Sequence, residues 1–206
     1  MQEHTRRIAM IQAITKRRSI RKFKENPVSY TMIEEILKAG ILAPSAKNRQ
    51  PWRFIVAAGK AKEELLCAMR EGLEREKHMP LLPENAVYLQ DAEHTADIME
   101  QAPVIILIVN PMGIKIGQNL TAEQHVFELC NAQSIGAAIE NMTLTATELG
   151  LGSLWICNTY FAQYELNKWA KIDGEVCAAL ALGYADESPA SRPRSKLESI
   201  VQWRIL

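Results

Sequence analysis

Apolar residues recur along this chain either every three to four positions or in short continuous runs, and the rhythm breaks at prolines, glycines and capping residues. Ile8, Ile11 and Ile14 share one face of a helix over 5–16 that is expected to pack on a core. Thr31 and Glu34 have the spacing of a capping box, after which Ile33, Ile36, Leu37, Gly40 and Ile41 recur at helical spacing as far as Pro44. RFIVAA at 53–58 reads as a mostly buried strand ended by Gly59. Residues 60–77 follow as a helix with Leu65, Leu66, Met69 and Leu73 on its apolar face, until Pro80 and Pro83 break the pattern. PVIILIVN at 103–110 is the strongest strand, apolar on both faces and so expected at the centre of its sheet. A second capping box, Thr121 with Gln124, opens a helix that persists to Leu149, about 40 Å at 1.5 Å per residue. Its Gly136, Ala137 and Ala138 allow another backbone to come close, and Gly150 and Gly152 end it. SLWIC at 153–157 and EVCAALALGY at 175–184 read as strands, separated by a turn at 158–160 and a short helix over 161–170.

Two stretches are patterned weakly. Residues 84–101 are polar and helical in part, either a lid that shapes a substrate site or a plain surface helix and loop. The tail ESIVQWRIL reads as an extended arm too apolar to hang free, and it is expected to dock on a partner subunit. The order is α, α, β, α, β, long α, β, α, β, then the arm. With no linker, repeat or low-complexity segment, that describes one α+β domain over 1–206, with helices layered on a mixed or antiparallel sheet.

Composition agrees with a real core: of 206 residues, 48% are hydrophobic and 23% charged. A formal net charge of zero gives no overall field to draw the protein onto nucleic acid or an anionic membrane. No apolar run approaches the roughly 20 residues of a membrane span. The opening MQEHTRR has neither an apolar stretch nor a small-residue cleavage site, so a cytoplasmic location is expected. Cys67, Cys130, Cys157 and Cys177 form no CxxC pair and are expected to be reduced and buried. Asp91, Glu93, His94 and Asp97 read either as a metal cluster or as a solvated helix face, the second being the expectation, with no metal.

Local charge is less even than the total. From Lys16 to Lys24 six of nine residues are basic, interleaved with Ile20 and Phe23. A nucleic-acid patch is one reading of such a run. Apolar anchors would instead pin the segment to the body of the protein and build a compact anion pocket, in which arginines bind phosphate bidentately. A second basic group, Arg192, Arg194 and Lys196, lies near the other end. Between them, GILAPSAKNRQPWRF at 40–54 is a helix, a polar loop and a strand, with Pro44 and Pro51 fixing φ at both ends of the loop. Ser45, Asn48 and Gln50 there can donate to and accept from a flat heteroaromatic ring, or can serve a simple surface turn. A phosphate at one end and a planar ring at the other describe a mononucleotide. Neither GxGxxG after a first strand nor GxxxxGK[ST] is present.

At these residues the chain resembles the FMN-dependent nitroreductase family. The resemblance runs through RRSIRKF at 17–23, APSAKNRQPWRF at 43–54, APVIILIV at 102–109, ELGLGSLWI at 148–156, ALGYADE at 181–187 and RPRSKLESIVQW at 192–203, in the family's order. It implies a three-layer α+β fold with a mainly antiparallel sheet between helices, and a C-terminal arm reaching onto the partner of a homodimer. It also implies FMN as cofactor, with NADH or NADPH as donor and a small electron-poor acceptor, by ping-pong hydride transfer. By the same resemblance, Arg17, Arg18 and Ser19 would bind the FMN phosphate, with Arg192 and Arg194 closing from the other side. Arg21 would lie near the N1/O2 edge of the ring, where its charge favours the reduced anion. Pro44, Ser45, Ala46 and Asn48 would meet the flavin from the other subunit, and backbone groups of Ile156, Cys157 and Asn158 would face N5. Cys157 and Asn158 stand where family members often carry Glu or Gly. No side chain is nominated as catalytic, since the cofactor carries the chemistry. The same fold and cofactor also serve enone reduction, dehalogenation and dehydrogenation, and a non-catalytic flavin carrier is the remaining alternative.

Overall fold

The apolar run at 103–110 decides the architecture, because a strand buried on both faces needs a strand on each side and helices above and below. The structure is a computed structural model in which residues 10–205 are described. Its single sheet is antiparallel throughout, in the order β1-β2-β4-β3. The strands are β1 (Arg53–Ala58), β2 (Val104–Asn110), β3 (Gly152–Ile156) and β4 (Glu175–Gly183). All seven residues of β2 are buried. Phe54 pairs with Ile108, Ile106 with Leu180, and Leu180 with Trp155. Between Ile108 and Val109 the register slips past Cys177, a bulge that turns Val176 to the same face as Ala179 and Ala181.

The helices are α1 (Gln12–Lys16), α2 (Tyr30–Ile41), α3 (Gly59–His78), α4 (Leu89–Gln101), α5 (Ala122–Glu148), α6 (Gln163–Ala170) and α7 (Leu197–Ile200). Over one face of the sheet, α2 and α5 bring Ile36, Ile139 and Met142 onto Ile106 and Leu180. Over the other, α3, α4 and α6 bring Met69, Met99 and Leu166 onto Ile105, Leu107 and Ala179. Each side chain so buried contributes about 1.5–3 kcal/mol, which makes these two apolar layers the main term holding the three-layer α+β sandwich together.

Helix ends follow local chemistry. The Thr121 hydroxyl accepts the Gln124 N–H at 3.3 Å and the Gln124 side chain accepts the Thr121 N–H at 2.9 Å, the reciprocal box expected. Gly150 (φ 77°) ends α5, and the Leu151 N–H returns to the Ala146 carbonyl at 2.8 Å. The cap of α2 is Ser29 rather than Thr31: its hydroxyl accepts the Met32 N–H at 3.3 Å, which places Thr31 inside the first turn.

Several expectations are corrected. β1 is an edge strand with only Ala57 fully buried, because β2 covers just one of its sides. Residues 84–101 are helical almost throughout, as a 3-10 turn (Pro83–Tyr88) followed by α4, whose buried residues are Ala92, Ala96, Ile98 and Met99. The tail begins as one helical turn, α7, before continuing irregularly. Of the helix over 5–16, residues 5–9, including Ile8, lie outside the described residues. In the described part Ala13 is the buried residue, packed toward α5, while Ile11 and Ile14 are 65% and 46% exposed. Within the single chain, a Cβ at Gly136 would meet only the Trp155 ring, at 3.5 Å. Cys67, Cys157 and Cys177 are exposed and Cys130 half-buried; all four are free thiols, as expected.

Candidate functional site

The basic run at 16–24 is fastened to the outer edge of the sheet, next to β3. Ile20 and Phe23 are buried anchors. The Ile20 N–H donates to the Ser153 carbonyl at 3.0 Å, Lys24 N–H to the Tyr184 carbonyl at 2.9 Å, and Asp186 N–H to the Lys22 carbonyl at 2.9 Å. Gly152 makes this docking possible: a Cβ there would stand 2.8 Å from Ile20 Cγ1. The Glu187 carboxylate accepts the backbone N–H groups of Arg21 and of Lys22, the latter at 3.2 Å, and so ties the segment to the chain leaving β4.

With its anchors turned inward, the segment presents Arg17, Arg18, Ser19 and Arg21 to a cavity of about 280 Å³. Arg192 and Arg194, with Pro189, Ala190 and Ser191, wall it from the other end of the chain. Arg18 is braced by the carbonyls of Thr15 (2.9 Å) and Arg17 (2.8 Å), and Arg21 by that of Ser19 (3.2 Å). Among the described residues the only carboxylate within ion-pair range of these guanidiniums is Glu140, 3.6 Å from Arg17. Five like charges converging on one cavity with so little compensation form a site for a multiply charged anion.

A second cavity, of about 580 Å³, shares Arg21 and Arg192 with the first. Leu154, Trp155 and Ile156 of β3 form one side, continued by Cys157 and Asn158 in the turn; Asp91, His94, Thr95 and Ile98 of α4 form the other. Asn158 Nδ2 donates to Thr95 Oγ1 at 3.2 Å and links the two walls. Cys157 opens onto this cleft, yet the surrounding walls desolvate its sulfur and push the thiol pKa up, which keeps it protonated and a poor nucleophile near neutral pH. The two cavities together suit FMN by the chemistry of their donors: guanidiniums for a terminal phosphate, and an adjoining cleft large enough for a planar ring system.

Pro44, Ser45, Ala46 and Asn48 line neither cavity. They form the loop after α2, a 3-10 turn (Ala46–Asn48) pinned by the Ala46 N–H to Ser134 Oγ on α5 at 3.2 Å and by the Gln50 N–H to Ser45 Oγ at 3.0 Å. Lys47, Asn48 and Gln50 all have φ between 51° and 53°, in the left-handed region that ordinary side chains avoid. Within one chain the structure therefore joins nine of the thirteen sequence-derived site residues and leaves these four on a separate, tightly specified loop.

Sequence reasoning left out Glu187, whose bonds go to backbone and leave no pattern. It considered Asp91 and His94 as part of a metal cluster or of a solvated helix face, in a stretch read either as a lid or as a plain surface helix and loop. No group able to hold a metal ion occurs among the described residues: Glu93 pairs with Lys77 at 2.9 Å and Asp97 with Arg70 at 3.1 Å, away from the cleft. The signal that was present is the spacing 91, 94, 95 and 98, one face of a helix.

A three-layer sandwich carrying an arginine-walled anion cavity and an adjoining cleft at the edge of its sheet places the protein among α+β enzymes that hold a phosphorylated cofactor. Residues 14–184 match the Nitroreductase family, and the chain belongs to that family of oxidoreductases. It is 28% identical over 202 residues to a protein of Thermus thermophilus named NADH dehydrogenase, covering 93% of this chain and 94% of that one. Among solved structures, a BluB-like flavoprotein from Clostridium difficile 630 is 27% identical with a TM-score of 0.72, covering 93% of this chain and 97% of that one. A Desulfovibrio desulfuricans protein solved in complex with FMN is 28% identical with a TM-score of 0.69, covering 95% and 96%. No helix among the described residues is long and apolar enough to cross a membrane.

Proposed function

We propose that the protein is an FMN-dependent oxidoreductase that takes electrons from NADH or NADPH and delivers them to a nitroaromatic, quinone or related electron-poor acceptor. The observation that carries this reading is the convergence of Arg17, Arg18, Arg21, Arg192 and Arg194 from both ends of the chain on one small cavity that opens beside a larger cleft. The names of relatives support the donor and the cofactor: NADH dehydrogenase in one case, a complex with FMN in another.

In this reading Arg17, Arg18, Ser19, Arg192 and Arg194 hold the phosphate, and Arg21 stands at the N1/O2 edge, where a fixed positive charge favours negative charge on the ring. Ile156, Cys157 and Asn158 offer backbone groups toward N5. FMN held there would supply two-electron hydride chemistry between the reduced nicotinamide and the acceptor, in ping-pong order. Asn158, held by Thr95, fixes the turn next to the ring, and the protonated Cys157 takes no covalent part.

The working unit in this reading is a homodimer, in which Pro44, Ser45, Ala46 and Asn48 of one copy complete the site of the other and the C-terminal arm crosses between them. Ile11, Val126, Leu129, Trp203 and Ile205 are each more than half exposed in the single chain, more apolar surface than a free monomer comfortably leaves in water. Anaerobic titration of the purified protein with NADH and then NADPH is the test. A yellow protein whose flavin absorbance bleaches supports the reading and ranks the two donors; a colourless protein, or a flavin that neither nucleotide reduces, overturns it.

A further inference from the structure

We propose that the carboxylate of Asp91 sets the charge preference of the acceptor cleft, disfavouring anionic acceptors relative to neutral ones of the same shape. The inference rests on the proposed function, in which the flavin ring would lie along the β3 side of that cleft and the acceptor would take the remaining space next to α4. Helix α4 carries four acids, Asp91, Glu93, Asp97 and Glu100. Three are engaged on its far side: Glu93 with Lys77 at 2.9 Å, Asp97 with Arg70 at 3.1 Å and Glu100 with Arg70 at 2.7 Å. Asp91 alone of the four lines the cleft, and among the described residues it has no ion-pair partner.

The helix geometry explains the division. Asp91, His94, Thr95 and Ile98 fall at i, i+3, i+4 and i+7 and line the cleft, Ile98 as a buried residue that shares the core cluster of Ala92, Ala96 and Met99. The cleft's other charged groups, Arg21 and Arg192, stand on the side shared with the anion cavity. In the proposed function those two would be engaged by the phosphate and the flavin ring, whereas Asp91 has no assigned ligand group. Removing its charge shifts selectivity toward anions whatever positive potential the arginines retain, so the sign of the effect is fixed.

Asp91 also lies in the first turn of α4, where a negative charge steadies the helix. That role alters stability without distinguishing two ligands that differ only in charge. The test therefore uses 4-nitrobenzoate and 4-nitrobenzamide, titrated into oxidised, FMN-loaded protein in the absence of nicotinamide and followed by perturbation of the flavin spectrum, then compared as kcat/KM. In Asp91→Asn the benzoate-to-benzamide ratio of association constants should rise by about three- to tenfold, the effect of one solvent-exposed charge lining the same cleft. Asp91→Glu should restore the original ratio. An unchanged ratio in a flavin-loaded Asp91→Asn variant overturns this inference and leaves the functional reading standing. A protein that carries no flavin overturns both.

Discussion

A guanidinium is most available to a ligand when no carboxylate of its own chain competes for it. Arg18, Arg21, Arg192 and Arg194 meet that condition among the described residues, and Arg17 shares itself only loosely with Glu140 at 3.6 Å. Replacing Arg17 or Arg192 by Ala should remove a charge-assisted bond to phosphate worth about 1.5–3 kcal/mol, weakening FMN retention by roughly ten- to a hundredfold. The melting temperature of the flavin-free protein should hardly move, because neither side chain is buried. Fluorescence titration of stripped protein with FMN measures the first quantity and circular dichroism the second; unchanged flavin affinity in both variants would place the phosphate elsewhere. Backbone strain gives a second residue-scale prediction. Lys47 is exposed, so its left-handed conformation (φ 53°) costs energy with no side-chain burial to offset it. A β-branched residue tolerates that region worst, and Lys47→Val should lower the unfolding free energy by about 1–2 kcal/mol, read from the midpoint of urea denaturation. Lys47→Gly should be neutral or slightly stabilising, a contrast that a simple loss of the lysine charge would not produce.

At the scale of elements, what could be read from the sequence was set by how strongly each element signals its environment. β2 was legible because seven consecutive buried residues leave no polar face. The arginine segment was legible because Ile20 and Phe23 interrupt a basic run at spacings that only a docked segment needs. α4 was not, because two of its four buried residues are alanines, which barely raise an apolar signal, and the other two, Ile98 and Met99, fall only in its last turns, so a cleft wall passed for a weakly patterned stretch. The edge character of β1 was hidden for a related reason: RFIVAA looks the same whether one neighbour or two cover it. Gly152 shows the same limit and supplies a prediction. It reads as a helix stop in the sequence, yet it lies within β3 and leaves the space that Ile20 fills. In Gly152→Ala the new methyl would meet Ile20 Cβ and Cγ atoms at 2.8–3.0 Å, so the segment carrying Arg17 to Arg21 must shift. Overpacking of this kind costs about 1–3 kcal/mol, and FMN occupancy on purification should fall with it. Gly136→Ala is the matched control: its Cβ would sit at an ordinary 3.5 Å from Trp155, and alanine is the better helix former by up to about 1 kcal/mol. Thermal melts of both variants, set beside their flavin content, separate a local clash from a general effect of losing glycine.

At the scale of the whole molecule, the exposed apolar side chains among the described residues mark where the second chain of the proposed homodimer would sit: Ile11 and Ile14 by α1, Val126 and Leu129 on α5, and Trp203 and Ile205 in the tail. The loop from Pro44 to Asn48 is attached to the same helix α5 through Ser134, so a face that brings two copies of α5 together also carries this strained loop toward a second chain. In the homodimer proposed above, oligomeric state and flavin binding would be one property. Charge placed in the apolar patch, as Leu129→Asp, or removed apolar anchoring, as Trp203→Ala combined with Ile205→Ala, should shift the protein toward monomer in sedimentation velocity and lower FMN affinity in parallel, although none of the three residues lines either cavity. A variant that becomes monomeric yet keeps its flavin at full affinity would show that the loop after α2 serves its own chain or none. A variant that stays dimeric while losing flavin would show that the arm acts on the site directly, without acting through assembly.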